Sequence, residues 1–453
     1  MQISEETDVS HLGVLIGDPS SDRIIAVSTS AVFEDGSLPQ KFWGIDGTAI
    51  DSGFQGHMYA RSNDILVVRV PSNDDAIAES VTTAIDVNYE IWKSLTGIQL
   101  SSMASQIILV SDNTLPPTAC LPVNCTWHVG SLLDAAVTRY HSTRETFLAF
   151  VLNNKIADML GLRDQGTSVL LEHARKKSLL MDKNSAMRLL QSSGIDCART
   201  YSVNEDTKLV YALSAIPSSG RYVFKPAGGA AGIGVFSNDG RGASLDLIVA
   251  HLEALKRKDQ LMRRFQIQEF VPGTPYGVTA YFEREGSFEI LEIHRQSIDK
   301  SGRFTGGRWN PALQADKMAF VNKLCRQMAA IEQPSLSGLI CLDIIDRRLI
   351  EVNPRLTASA PIAHILRRQN QIARHLGSNL QIDQIDLNTK VPIPYESIRN
   401  GTLRRLIDAT WEERGALVLP QGLNPFGDSR IVFINDDDDG TAQRLFIQGI
   451  LQT

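Results

Sequence analysis

Cysteine is scarce in this sequence: five residues, Cys120, Cys125, Cys197, Cys325 and Cys341, are spread over 453 positions. An odd, sparse set makes no disulfide framework and fits a reducing compartment. Cys120 and Cys125 stand at C-x4-C spacing, but no second Cys/His pair follows at ligand distance, which weighs against a zinc site. Long apolar runs are missing too. None approaches the roughly 18 residues of a membrane span. The first residues, MQISEETDVSHLG, are acidic and lack the apolar core of a signal peptide. A cytoplasmic protein with no membrane partner is expected. Positive charge is in short supply: 45 Lys and Arg against 51 Asp and Glu leave a net charge of -6. That argues against nucleic acid as a partner, which would need a basic stripe. No G-x-x-x-x-G-K-[ST] occurs anywhere, so there is no Walker A loop. No G-x-G-x-x-G follows a strand in the N-terminal part, so nothing there marks a dinucleotide site.

What remains is an ordinary soluble composition, 43% hydrophobic and 21% charged, in a chain long enough for about three domains. Residues 1–175 alternate short Val/Ile-rich strands, at 12–16, 23–27, 65–70 and 106–110, with helical spacing at 76–98 and 143–162. This predicts an open α/β layer. In residues 176–267, Asp182 is a helix N-cap, Lys183 opens a helix to 192 and Gly194 stops it. Strands are expected at 209–213 and 222–224, then a glycine loop at 228–234, a charged helix at 244–264 and a strand at 265–270. Residues 268–388 carry strands at 277–283, 288–294, 338–345 and 348–352, a helix at 314–331, and a Gly- and Arg-rich loop at 301–309. Residues 389–453 form a small tail domain with a helix at 402–415, a strand at 430–434 and a final helix after the acidic turn at 435–440.

Four pieces in fixed order carry the chemistry. Asp182-Lys183 places an ammonium beside a helix N-terminus, where it can meet a phosphate, although an ordinary solvated lysine would look the same. Lys225 ends the apolar strand Val223-Phe224-Lys225-Pro226, where an unpaired ammonium is costly to bury. The loop after it holds Gly228, Gly229, Ala230, Ala231, Gly232 and Gly234, so backbone N–H groups can approach an anion. Third, Gln268-Glu269-Phe270-Val271 before Pro272-Gly273 reads as a linker that can bond an adenine edge and pack on its face. Fourth, Asp343 and Glu351 interrupt two apolar strands joined by a short turn, and Asn353 follows on the same strand face as Glu351. Two acids on one apolar hairpin require a compensating charge. Their oxygens suit a hard ion such as Mg²⁺. Arg355 adds a planar cation for a carboxylate or a transferring phosphoryl group.

Together these residues resemble the ATP-grasp superfamily, over about 180–370, with Glu351-Val352-Asn353-Pro354-Arg355 as the most specific run. The resemblance implies a nucleotide, ATP, held between two α+β subdomains at 176–267 and 268–388, preceded by an open α/β pre-ATP-grasp domain and followed by the tail. It implies Lys183 and Lys225 on the phosphates, Gly228, Gly229, Ala230 and Gly232 in a lid, and Gln268, Glu269, Phe270 and Val271 as the adenine hinge. Asp343, Glu351 and Asn353 would hold Mg²⁺ or Mn²⁺, and Arg355 would face an acyl phosphate. The layout looks most like that of pheganomycin-type peptide ligases. Two features depart from family patterns: Pro275 and Tyr276 stand where many members place a ribose-binding glutamate, and no biotinyl signature occurs.

The implied reaction joins an acid to an amine, such as an amino acid or short peptide, through an acyl phosphate. A carrier-protein thiol or a hydroxyl acceptor stays open, as does pairing of two copies as a homodimer. His294, Arg295 and Arg308 are the candidate substrate residues, with both arginines able to clamp a carboxylate and Arg308 also a catalytic candidate.

Overall fold

The computed structural model describes residues 24–27, 65–69, 75–97, 106–111, 125–129, 146–149, 179–180, 182–203, 221–227, 235–238, 250, 265–282, 286–299, 304–331, 336, 338–354, 357, 359–367, 380–387, 393–421, 423, 429–435 and 440–452. Uninterrupted apolar runs such as ILVVR and QIILVS are typical of parallel strands. Here β1 (Ile24–Val27), β2 (Ile65–Arg69), β3 (Gln106–Ser111), β4 (Cys125–Val129) and β5 (Thr146–Ala149) form a parallel sheet in the order β4-β3-β2-β1-β5. Helix α1 (Asp75–Thr96) follows β2. The helical spacing read across 143–162 fails at β5: Thr146–Ala149 adds a strand to the sheet edge beside β1, a tertiary pairing that overrides local periodicity.

A four-stranded antiparallel sheet, β6-β9-β7-β8, follows, made of β6 (Thr200–Val203), β7 (Tyr222–Pro226), β8 (Phe236–Asn238) and β9 (Phe265–Glu269). Helix α2 (Lys183–Ser192) precedes it, and the Asp182 carboxylate accepts the Ser185 N–H at 2.7 Å as its N-cap. Its start and stop are as the residue signals predict, because capping is a local interaction.

The third sheet has eight antiparallel strands in the order β14-β13-β10-β11-β12-β15-β17-β16. They are β10 (Pro275–Phe282), β11 (Phe288–Ile298), β12 (Phe304–Trp309), β13 (Gly338–Ile345), β14 (Arg348–Asn353), β15 (Ile382–Leu387), β16 (Leu417–Pro420) and β17 (Ser429–Ile434). Helix α3 (Pro311–Ala329) closes one face, its Leu324 and Met328 packing with Val278, Ala280, Leu342 and Ile344. The expected loop at 301–309 is largely strand β12. Its glycines admit close neighbours: a Cβ on Gly306 would lie 2.1 Å from the Gln384 carbonyl oxygen.

The segment after 388 continues this sheet through β16 and β17, with α4 (Ala360–Arg367), α5 (Tyr395–Arg399), α6 (Thr402–Arg414) and α7 (Thr441–Leu451) around it. Helix α1 packs into the same core. Its Ile85 and Ile91 lie with Ile407, Phe433 and Phe446, and the indole N–H of Trp92 donates to the Pro420 carbonyl at 2.7 Å. Among the described residues, no helix is long and apolar enough to cross a membrane.

Candidate active site

The hairpin β13–β14 pairs Asp343 with Glu351, and Cys341 with Asn353. Directly opposed residues in an antiparallel pair project on one side, so the two carboxylates share a face. Glu351 is held from the small sheet: its Oε1 lies 3.3 Å from Lys183 Nζ and its Oε2 3.5 Å from Lys225 Nζ. Lys183 comes from the first turn of α2 and Lys225 from near the end of β7, and both are buried. Burial pulls the Lys225 ammonium below its usual range, with Glu351 opposing and Lys183 adding to the pull. Asp343 accepts from Gln296 Nε2 at 2.7 Å and from Asn353 Nδ2 at 3.1 Å. Its carboxyl is pushed above the ordinary value by burial and then by the Glu351 charge, with the Gln296 hydrogen bond and Lys225 pulling the other way. The compensating charge that the acid pair requires is therefore supplied, for Glu351, by two lysines from 168 and 126 residues earlier in the chain (351 minus 183, 351 minus 225).

Small and large sheets are stitched together at β14. Ala198 N–H donates to Leu349 O at 2.9 Å, and Leu349 N–H to Asp196 O at 3.1 Å. Gln268 Nε2 donates to Thr200 Oγ1 and to Ile350 O, and Glu269 accepts from Arg348 and from the Arg199 N–H. The N–H groups of Glu269 and Phe270 donate to Arg199 O and Arg221 O. The Arg221 guanidinium sits 4.9 Å from the centroid of the Phe270 ring, and Val271 is buried beside it in sequence. The segment read as an adenine hinge thus uses the Gln268 and Glu269 side chains as a seam to β14, while the amides of Glu269 and Phe270 bond within the small lobe.

Gly277 on β10 pairs with Asp343 on one side and His294 on the other. His294 and Gln296 therefore share the face of the acid pair, and strand alternation turns Arg295 to the opposite face. Arg295 pairs with Arg308, which in turn pairs with Asp383 and donates to its carboxylate from Nε. The structure does not bring Arg295 or Arg308 to the acids. A substrate clamp there is corrected by the period of two in β11 and β12, and the missed partner is Gln296. The alternation Glu292-x-His294-x-Gln296 was the signal that could have found it. Arg355 and the loop residues Gly228, Gly229, Ala230 and Gly232 lie outside the described residues.

Among the described residues, no three His, Cys, Asp or Glu side chains converge as a metal cluster. Two carboxylates and an asparagine oxygen nonetheless fit a hard ion that keeps water and phosphate ligands, since Mg²⁺ is seldom caged by protein alone.

Comparison with known proteins gives the same outline. Residues 180–359 match the family model described as an ATP-grasp domain. A comparison with curated proteins finds no match. Among solved structures, N5-carboxyaminoimidazole synthetase from Staphylococcus aureus, complexed with ADP, is similar at 11% identity and a TM-score of 0.53, over 86% of this chain and 98% of that one. Carboxyaminoimidazole ribonucleotide synthase from Aspergillus clavatus, complexed with ATP, is similar at 12% identity and 0.53, over 86% and 99%. A biotin carboxylase from Campylobacter jejuni is similar at 10% identity and 0.50, over 84% of each chain. At such identities the likeness is one of fold. Residues 180–359 match an ATP-grasp domain, and the chain as a whole is similar in fold to these structures.

Proposed function

We propose that this chain is an ATP-dependent carboxylate–amine ligase, which activates an acid as an acyl phosphate, joins it to an amine and releases ADP and phosphate. The observation that carries the reading is the convergence of Lys183 and Lys225 on Glu351, register-paired with Asp343. Two cations and two acids on facing lobes suit a polyphosphate with a hard cation, since each partner of the present ion pairs has a stronger one to move to. Lys183 and Lys225 then bind phosphate oxygens. Asp343, Glu351 and Asn353 would hold Mg²⁺ or Mn²⁺, which when bound neutralises charge as the terminal phosphoryl moves. By the resemblance Arg355 would face the acyl phosphate and stabilise its oxyanion. The loop containing Gly228, Gly229, Ala230 and Gly232 would by the same resemblance cover the phosphates and exclude water. Amino acids or short peptides are the substrates, as in pheganomycin-type peptide ligases, and a cytoplasmic setting supplies the nucleotide.

The test is an ADP-release screen over paired amino acids and short peptides, with and without hydroxylamine, and mass spectrometry of the products. Hydroxamate from an acid in the presence of ATP supports the acyl phosphate. ADP release with a phosphorylated alcohol and no hydroxamate would replace the ligase with a kinase.

A further inference from the structure

Beside the acid pair lies a second buried polar group that no step above uses. Glu292 and His294 alternate on β11, and both are buried, with 0% and 1% exposure. Burying a carboxylate is expensive unless its oxygens are satisfied. Both are: Thr279 Oγ1 donates to Glu292 Oε1, and Glu292 Oε2 lies 2.7 Å from His294 Nδ1. The remaining ring nitrogen, His294 Nε2, is buried and has no hydrogen-bond partner among the described residues. A buried nitrogen left bare costs free energy that a merely structural imidazole has no reason to carry.

The sequence keeps a slot for this ring. A Cβ on Gly277 would lie 2.3 Å from His294 Cε1 and 2.6 Å from Nε2, and one on Gly307 would lie 2.8 Å from Cδ2. Glycines on both neighbouring strands thus make room for the imidazole, and Phe304 meets it edge-on with centroids 6.3 Å apart. Nε2 lies over Gly277, the residue register-paired with Asp343, so the bare nitrogen faces the side of the sheet where the proposed phosphoryl transfer takes place.

We infer that His294 Nε2 is the base that takes the proton from the incoming amine, with Glu292 as the positioning residue that holds the proton on Nδ1. This rests on the ligase reading above. The amine nitrogen lone pair forms the C–N bond to the acyl carbon. Its surplus proton passes to Nε2, the C–O bond to phosphate breaks with its electron pair on oxygen, and the proton then leaves with the phosphate.

The experiment is Glu292→Gln in the full chain. The amide keeps its oxygen for Thr279 and turns its NH₂ toward Nδ1, which moves the ring proton to Nε2 and blocks its lone pair. With the acid and amine found by the screen, amide formation should fall by about 10²–10⁴-fold in kcat, with KM for the acid unchanged. Trapping by hydroxylamine, which is unprotonated at neutral pH and needs no base, should stay within about threefold by the same reasoning. Nitrogen-15 NMR of the substrate-free chain should show the His294 proton on Nδ1 in the native protein and on Nε2 in the variant. His294→Gln should lose amide formation to the same extent, and if it fails to fold, Glu292→Gln decides. Equal losses of hydroxamate and amide, an unchanged amide rate, or an Nε2 already protonated in the native chain at the pH of turnover would each overturn the inference. Absence of hydroxamate from the native chain with every acid would instead overturn the ligase reading and leave the NMR result standing.

Discussion

Glu351 is the residue on which the two lobes meet, and its removal isolates the chemistry from the fold. Glu351→Gln keeps the volume but gives up the charge that Lys183 and Lys225 share. ATP turnover should fall by at least about 10²-fold, as for loss of one charge-stabilising group at a reacting phosphate, while a cooperative thermal melt persists. Turnover at the native rate with the same Mg²⁺ dependence would remove Glu351 from the metal set. The cysteines predict a pH response. Burial raises the thiols of Cys197 and Cys325 to about 12 and that of Cys341 to about 11, from 9.0. The folded values exceed the unfolded one, so the stabilisation from these thiols is whole below pH 9.0 and is lost as pH rises toward 11 and 12. At neutral pH iodoacetamide should modify the buried Cys325 and Cys341 only after denaturation, and mass spectrometry of native and denatured chains checks it. Reaction of the folded chain at the rate of a free thiol would contradict the burial described.

The elements show where local signals suffice. Helix α2 begins at Lys183 because Asp182 satisfies an orphan N–H, and that relation was legible from two adjacent residues. The acid hairpin was legible too: a short turn between apolar runs sets a register, and β13–β14 realises it. β12 was not, because its two central glycines read as loop until β11 and β15 are present to pair with them. Those glycines make a prediction. Gly307→Ala places a methyl group 2.8 Å from His294 Cδ2 and 3.1 Å from Ile362 Cδ1. The overpacking should destabilise the chain by about 1–3 kcal/mol, measurable as a lower denaturant midpoint with an unchanged m-value. A neutral outcome would mean that the slot around His294 is loose.

At the scale of the whole molecule, segments far apart in the sequence share one core. Helix α1 from the N-terminal part packs on Phe433 and Phe446, and Trp92 bonds to Pro420 across 328 residues. Trp92→Phe keeps an aromatic ring but leaves the Pro420 carbonyl without its donor. It should cost about 1–3 kcal/mol and increase proteolytic cleavage on both sides of α1. Cleavage unchanged from the native chain would show that the contact does not hold α1 in place. The tail read from its helix and strand signals at 389–453 extends the large sheet through β16 and β17, since edge strands of unlike sequence position complete each other's hydrogen bonds.

Residue types and short spacings determined the capped lysine and the facing acids, because caps, turns and strand alternation act over a few residues, and the ATP-grasp outline came from the resemblance those residues carry. Only the tertiary structure decided that Lys183 and Lys225 close on Glu351, that Gln296 and His294 join the acid face while Arg295 and Arg308 leave it, and that the last strands belong to the large sheet. Those facts depend on which distant strands pair and in what register, and hydrogen bonds between strands far apart in sequence leave no mark on either segment alone.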